Sequence, residues 1–130
     1  MVCLDTDIII DYLRNEEYAI KIIKQLEKQE IISSTSINSL ELFNGVYKSS
    51  KKNDFQIINK FLININILNF DYAASLKAAE ILNYLKLKGE QIELPDIMIA
   101  SIAITNNQTL LTNNKNHFQR IPELILKEVC

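Results

Sequence analysis

Short apolar runs of strand length alternate along this chain with longer segments of helical period, and that alternation restricts the fold more than any other feature. The runs are Val2 to Asp5, Ile31 to Ser34, Ile65 to Phe70 and Thr109 to Thr112, with Leu124 to Val129 a fifth candidate. Between them lie segments whose apolar residues recur at three- and four-residue spacing. Thr6 or Asp7 caps a first helix to about Arg14. Glu17 to Lys28 carries Ala19, Ile20, Ile22, Ile23 and Leu26 on one side. Ser36 or Asn38 caps a helix to about Lys48. Asp54 to Leu62 presents Phe55, Ile57, Ile58, Phe61 and Leu62. Asp71 caps a long helix that ends near Lys88, with Gly89 as its stop. Pro95 opens the last, Asp96 to Asn106.

Strands and helices in alternation, with short connections, imply a parallel sheet covered on both faces. Right-handed crossovers gather the loops that follow the strands on one edge. Ligands bind outside that edge, near the point where strand order reverses. Acids just after strands or at helix starts are therefore the residues to weigh. No repeat, low-complexity tract or Pro/Gly-rich linker divides the 130 residues, which read as one domain, 1–130.

A net charge of −2 argues against a module that holds nucleic acid through phosphates alone, since such modules are basic. It leaves room for an enzyme that meets phosphate through a bound cation. Two cysteines, Cys3 in an apolar strand and Cys130 at the end, do not make a disulfide framework. One histidine and no Cys-x-x-Cys pattern exclude a His- or Cys-rich zinc site. The most apolar run, Ile97 to Ile104, is far short of the roughly 20 residues that span a bilayer. Met1 to Leu4 leads straight into Asp5-Thr6-Asp7, without the basic and apolar regions of a secretory leader. The expectation is a cytoplasmic protein without a membrane partner.

Three acids meet the placement rule. Asp5 ends the first strand, Glu41 lies in the first turns of the helix after the second, and Asp96 opens the helix before the fourth. Clustered carboxylates repel, and a divalent cation removes the conflict. Oxygen ligands without His or Cys select Mg²⁺ or Mn²⁺. Such an ion polarises a phosphoryl oxygen and lowers the pKa of bound water, which is phosphodiester hydrolysis. Each acid also has a plainer role. Asp5 can cap the first helix, Glu41 can complete a capping box with Asn38, and Asp96 suits a helix dipole.

Four blocks extend this pattern to a family. Val2-Cys3-Leu4-Asp5-Thr6-Asp7-Ile8-Ile9-Ile10-Asp11, Ile32 to Leu42 with its Glu41-Leu42 pair, Leu94-Pro95-Asp96 to Ala103, and Leu110-Leu111-Thr112-Asn113-Asn114-Lys115-Asn116-His117-Phe118 stand in order. Together they resemble the PIN domain, in particular the VapC toxins of type II toxin–antitoxin pairs. The resemblance implies an α/β/α sandwich with parallel sheet order 3-2-1-4-5. It implies a Mg²⁺- or Mn²⁺-dependent endoribonuclease acting on RNA, a cognate antitoxin partner and a homodimer. Asp5, Glu41 and Asp96 fall on the family's acidic positions, with Asp5 and Asp96 as metal ligands and Glu41 completing the shell or holding water. Many members carry a fourth acid where this chain has Asn114. An uncharged amide there weakens the case for a second ion and keeps open a non-catalytic PIN-like scaffold that binds RNA or protein. A receiver-type phosphate-handling domain also gathers acids at strand ends, and would need a lysine such as Lys115 opposite them.

Further residues are secondary. Thr6 and Thr112 orient ligands or cap turns, as does Ser36. Asp7 joins the shell through water or is a solvated first-turn acid. Asp11 and Asp71 read as surface and cap residues, and His117 as a bystander, since metal-activated water needs no histidine. Lys48, Lys51 and Lys52 form a small basic run. Tyr12, Leu13, Ile22 and Ile23 offer an apolar groove for an antitoxin helix or belong to the core.

Overall fold

The computed structural model describes residues 1–49 and 53–128; Lys51 and Lys52 of the basic run, and Val129 and Cys130, lie outside them. Strands β1 (Val2–Leu4), β2 (Ile32–Thr35), β3 (Asn66–Leu68) and β4 (Thr109–Leu111) alternate with helices. Helices α1 (Thr6–Leu13) and α2 (Glu17–Gln29) follow β1, and α3 (Ser36–Lys48) and α4 (Asp54–Leu62) follow β2. Helices α5 (Tyr72–Leu87) and α6 (Leu94–Thr105) separate β3 from β4, and α7 (Lys115–Phe118) follows β4.

All strand pairs are parallel, in the order β3-β2-β1-β4. Val2 pairs with both Ile32 and Thr109, so β1 is central. The expected fifth strand is reduced to one parallel bridge, Leu110 to Leu126, on the outer side of β4. It occupies the fifth place of the expected order without forming a ladder.

The side-chain alternation of a strand splits the core in two. Val2, Leu4 and Leu111 face one side and pack with Ile8, Ile9, Ile23, Leu42 and Ile58 of α1 to α4. Cys3 and Leu110 face the other and pack with Ala78, Ile81, Ile97 and Phe118 of α5 to α7. Burial pushes the Cys3 thiol up to about 12, so it behaves as a small apolar side chain. The expected groove residues belong to the first cluster. Ile23 is fully buried, the partly buried Ile22 and Leu13 pack against the cluster, and the Tyr12 ring lies 5.4 Å from that of Phe61.

Helix α6 is apolar on nearly every side, and Ile97 and Ile99 to Ala103 are all buried. Alanines at 74 and 78 leave α5 a narrow face against it. Polar residues inside β2 find partners on β1. The Ser33 hydroxyl donates to Val2 O at 3.0 Å, and that of Ser34 to Leu4 O at 2.8 Å. No helix among the described residues is long and apolar enough to cross a membrane.

Candidate active site

Strand order reverses between β1 and β4, and the carboxyl ends of those two strands carry Asp5 and Thr112. Asp5 is the N-cap of α1 and is 7% exposed. Its Oδ1 accepts from Thr6 N at 2.8 Å and Asn38 Nδ2 at 3.1 Å, and its Oδ2 accepts from Thr112 Oγ1 at 2.6 Å. Three donors from three elements fix the carboxylate's plane, as outer partners do for a metal-binding acid.

Asn38 is the hub of this arrangement and is completely buried. It does not cap α3, and Glu41 does not share a box with it. Thr35 is the cap, and Thr35 and Asn38 satisfy each other's backbone. That leaves the Asn38 amide free to reach Asp5 and, at 2.9 Å, Thr6 Oγ1. Thr6 passes the connection on, donating to Glu41 Oε1 at 2.7 Å. Asp5 and Glu41 are thus linked through Asn38 and Thr6.

Asp96 enters from another direction. Glu93 is the N-cap of α6, with Pro95 in its first turn, so the helix start points Asp96 toward the same edge. Burial raises the Asp96 pKa, the Asp5 charge raises it further, and His117 opposes both. Burial also raises Glu41, with the Thr6 hydroxyl opposing and Asp5, Asp96 and Glu93 adding repulsion. The three acids therefore share one field. They do not close into a cluster: among the described residues no three His, Cys, Asp or Glu side chains stand close enough to hold a metal ion together.

Asp7 lies on the opposite flank of Asp5. Its Oδ2 accepts from Asn113 N at 3.0 Å, and its Oδ1 is buried with no hydrogen-bond partner. Burial, then the Asp5 charge, pushes its pKa up to about 6. Asn114, at the fourth acidic position, donates its N–H to Thr112 Oγ1 at 3.0 Å. Its side-chain amide is 2.9 Å from His117 Nδ1, which is 3.5 Å from Asp96 Oδ2. His117 is therefore beside the acids and not a distant bystander. Lys115 pairs weakly with Glu128 at 3.9 Å and meets none of the acids, so among the described residues the lysine a receiver-type site needs is missing.

The donor set fits a hard divalent cation. Carboxylates gather at the edge, an Asp7 oxygen is orphaned, and no Lys or Arg among the described residues pairs with Asp5, Asp7, Glu41 or Asp96. Asp5 and Asp96 are the candidate ligands for such an ion, with Glu41 and Asn114 as secondary candidates.

Asn38, Glu93 and the neighbourhood of His117 escaped the sequence reading. Thr-x-x-Asn at a strand-to-helix junction was the available signal for Asn38, because a second polar residue there has a cap to satisfy and an amide to spare. Glu93 had none beyond its place before Leu94-Pro95.

The PIN domain family model matches residues 2–124. Ribonuclease VapC2 of Rickettsia felis is 41% identical over 103 residues, 78% of this chain and 77% of that protein. The tRNA(fMet)-specific endonuclease VapC of Salmonella typhimurium is 28% identical over 128 residues, 98% of this chain and 96% of that protein. Among solved structures, VapBC2 from Rickettsia felis bound to a DNA fragment from their promoter superposes with a TM-score of 0.92, at 34% identity, over 100% of both chains.

Proposed function

Because the chain belongs to the PIN-domain family, we propose that it is a divalent-metal-dependent endoribonuclease, the toxin of a toxin–antitoxin pair. The observation that carries this reading is the wiring of Asp5. A buried carboxylate at the strand-order reversal takes three oriented donors while Glu41 and Asp96 press their charges on the same space. That is an expensive arrangement for a scaffold and a suitable one for cation-assisted chemistry.

When bound, Mg²⁺ or Mn²⁺ supplies Lewis-acid polarisation of a phosphoryl oxygen and a more acidic water. Asp5 and Asp96 would hold the ion, and Glu41 would complete its shell or accept a proton from water. Thr112, Asn38 and Thr6 keep these carboxylates in place. Asn114 contributes no charge, which favours one tightly held ion over two. The substrate is RNA, and the similarity to a toxin–antitoxin complex supports a cognate antitoxin as protein partner. Homodimerisation and a cytoplasmic location complete the reading.

Asp5→Asn and Asp96→Asn each keep the shape of the side chain and remove its charge. Cleavage of total RNA in Mg²⁺, read by sequencing the new ends, is expected to fall at least about a hundredfold in both, with circular dichroism unchanged. Parental cleavage by both variants would overturn the ligand assignment. A parent that binds RNA without cutting it would favour the scaffold.

A further inference from the structure

Asn15 adopts a left-handed backbone, φ 62, and turns the chain sharply between α1 and α2. The turn brings Tyr18, in the first turn of α2, back over Asp11 of α1. The Tyr18 hydroxyl donates to Asp11 Oδ2 and accepts from Asn113 Nδ2 at 2.6 Å. Asn113 also gives its backbone N–H to Asp7. The middle residue of the segment between β4 and α7 is thus tied at three points to the α1–α2 pair, to Tyr18, to Asp7 and, at 3.5 Å, to Asp11 Oδ2.

What that segment carries lies at the acids. Asn114 follows Asn113, its N–H bonds the Thr112 hydroxyl that serves Asp5, and its side chain meets His117 beside Asp96. Packing from α2 does not clamp this segment. A cavity of about 410 Å³, bordered by Tyr18, Lys21, Gln25, Thr112, Asn113 and Lys115, opens beside it. Hydrogen bonds must fix it there.

We propose that Tyr18, acting with Asp11 and Asn113, is a positioning residue that latches the β4–α7 segment so that Asn114 and His117 stand against Asp96. The inference rests on the nuclease reading. Its chemistry is indirect: the Tyr18 hydroxyl never meets substrate, and its effect travels through Asn113 to the next residue.

Tyr18→Phe removes one oxygen and keeps the ring. Amide protons of Asn113 and Asn114 are expected to exchange about tenfold faster, kcat for RNA cleavage to fall about tenfold at unchanged KM, and the Mn²⁺ concentration for half-maximal thermal stabilisation to rise. Asp11→Asn, which keeps an acceptor for Tyr18, should behave as parent, and Asp11→Ala as Tyr18→Phe. Tyr72→Phe, on exposed α5 surface, should change nothing. Unchanged exchange in Tyr18→Phe, or faster exchange with kcat and the Mn²⁺ midpoint intact, would overturn the latch. A parent indifferent to both RNA and Mn²⁺ would sink the nuclease reading and the positioning role together. A parent that cleaves no faster than Tyr18→Phe sinks the latch alone.

Discussion

Asp7 carries its charge against burial and against Asp5, and the energetic consequence depends on pH. An ordinary aspartate, as in the unfolded chain, releases its proton near 3.8, while in the fold Asp7 holds it up to about 6. Between those values the native state binds more protons than the unfolded state, so stability falls as pH rises through the window. Burial is partial, and the loss from this residue is on the order of 1 kcal/mol after allowing for solvent screening. Asp7→Asn keeps an acceptor for Asn113 N and removes the titration. Urea unfolding without divalent metal should show a flatter pH profile for this variant between 4 and 6 and greater stability at pH 7.5; a slope equal to the parent's would disprove the assignment. Thr112→Val tests the neighbouring contact. It preserves volume but strips a donor from Asp5 and an acceptor from Asn114, at an expected cost of about 1–3 kcal/mol in the same assay.

Elements were legible where one period dominated. Helix α5 shows Ala74, Ala78, Ile81 and Leu85 on one face, begins at the Asp71 cap and gives way to Gly89 with φ +68, each as local rules require. Helix α6, apolar all round, announced its burial, and β1 with β4 announced theirs. The single-turn α7 was invisible because four polar and aromatic residues in a loop carry no period. Among the described residues the fifth strand shrank to a bridge, because only Leu126 of that segment's described residues meets β4 in register. Within the site, Asp5, Glu41 and Asp96 could be placed from strand ends and helix starts. Asn38 could not, because its role comes from which of two polar neighbours wins the cap, and Tyr18 could not, because its partner Asn113 is 95 residues away. The α5–α6 contact gives an element-scale test. Ala100 is fully buried where α6 meets its neighbours, so Ala100→Leu overpacks it and should lose about 1–3 kcal/mol in denaturant unfolding. A neutral result would mean that the small-residue face is not close-packed.

At the scale of the whole molecule, the two half-cores on either side of the sheet offset a polar edge that gains little by itself. Glu41, Asp96 and Asp7 are all held above their usual range by burial and by the charge of Asp5, so the metal-free fold stores repulsion at the edge proposed to carry its chemistry. A cation bound there would relieve the repulsion, which would make metal affinity and folding stability two readings of one quantity. At a hundredfold excess over Kd the gain is about 2.7 kcal/mol, which for a domain of this size raises Tm on the order of 10 °C. Protons compete for the same oxygens, so the gain from Mn²⁺ should be smaller at pH 5.0 than at pH 7.5, opposite in sign to the trend of the metal-free protein. Differential scanning calorimetry with and without Mn²⁺ at pH 5.0, 6.0 and 7.5 measures both trends at once. Asp96→Asn should flatten the metal response at every pH while keeping most of the metal-free trend that Asp7 supplies. A Mn²⁺ shift independent of pH, or one that survives Asp96→Asn in full, would place the ion elsewhere on the molecule.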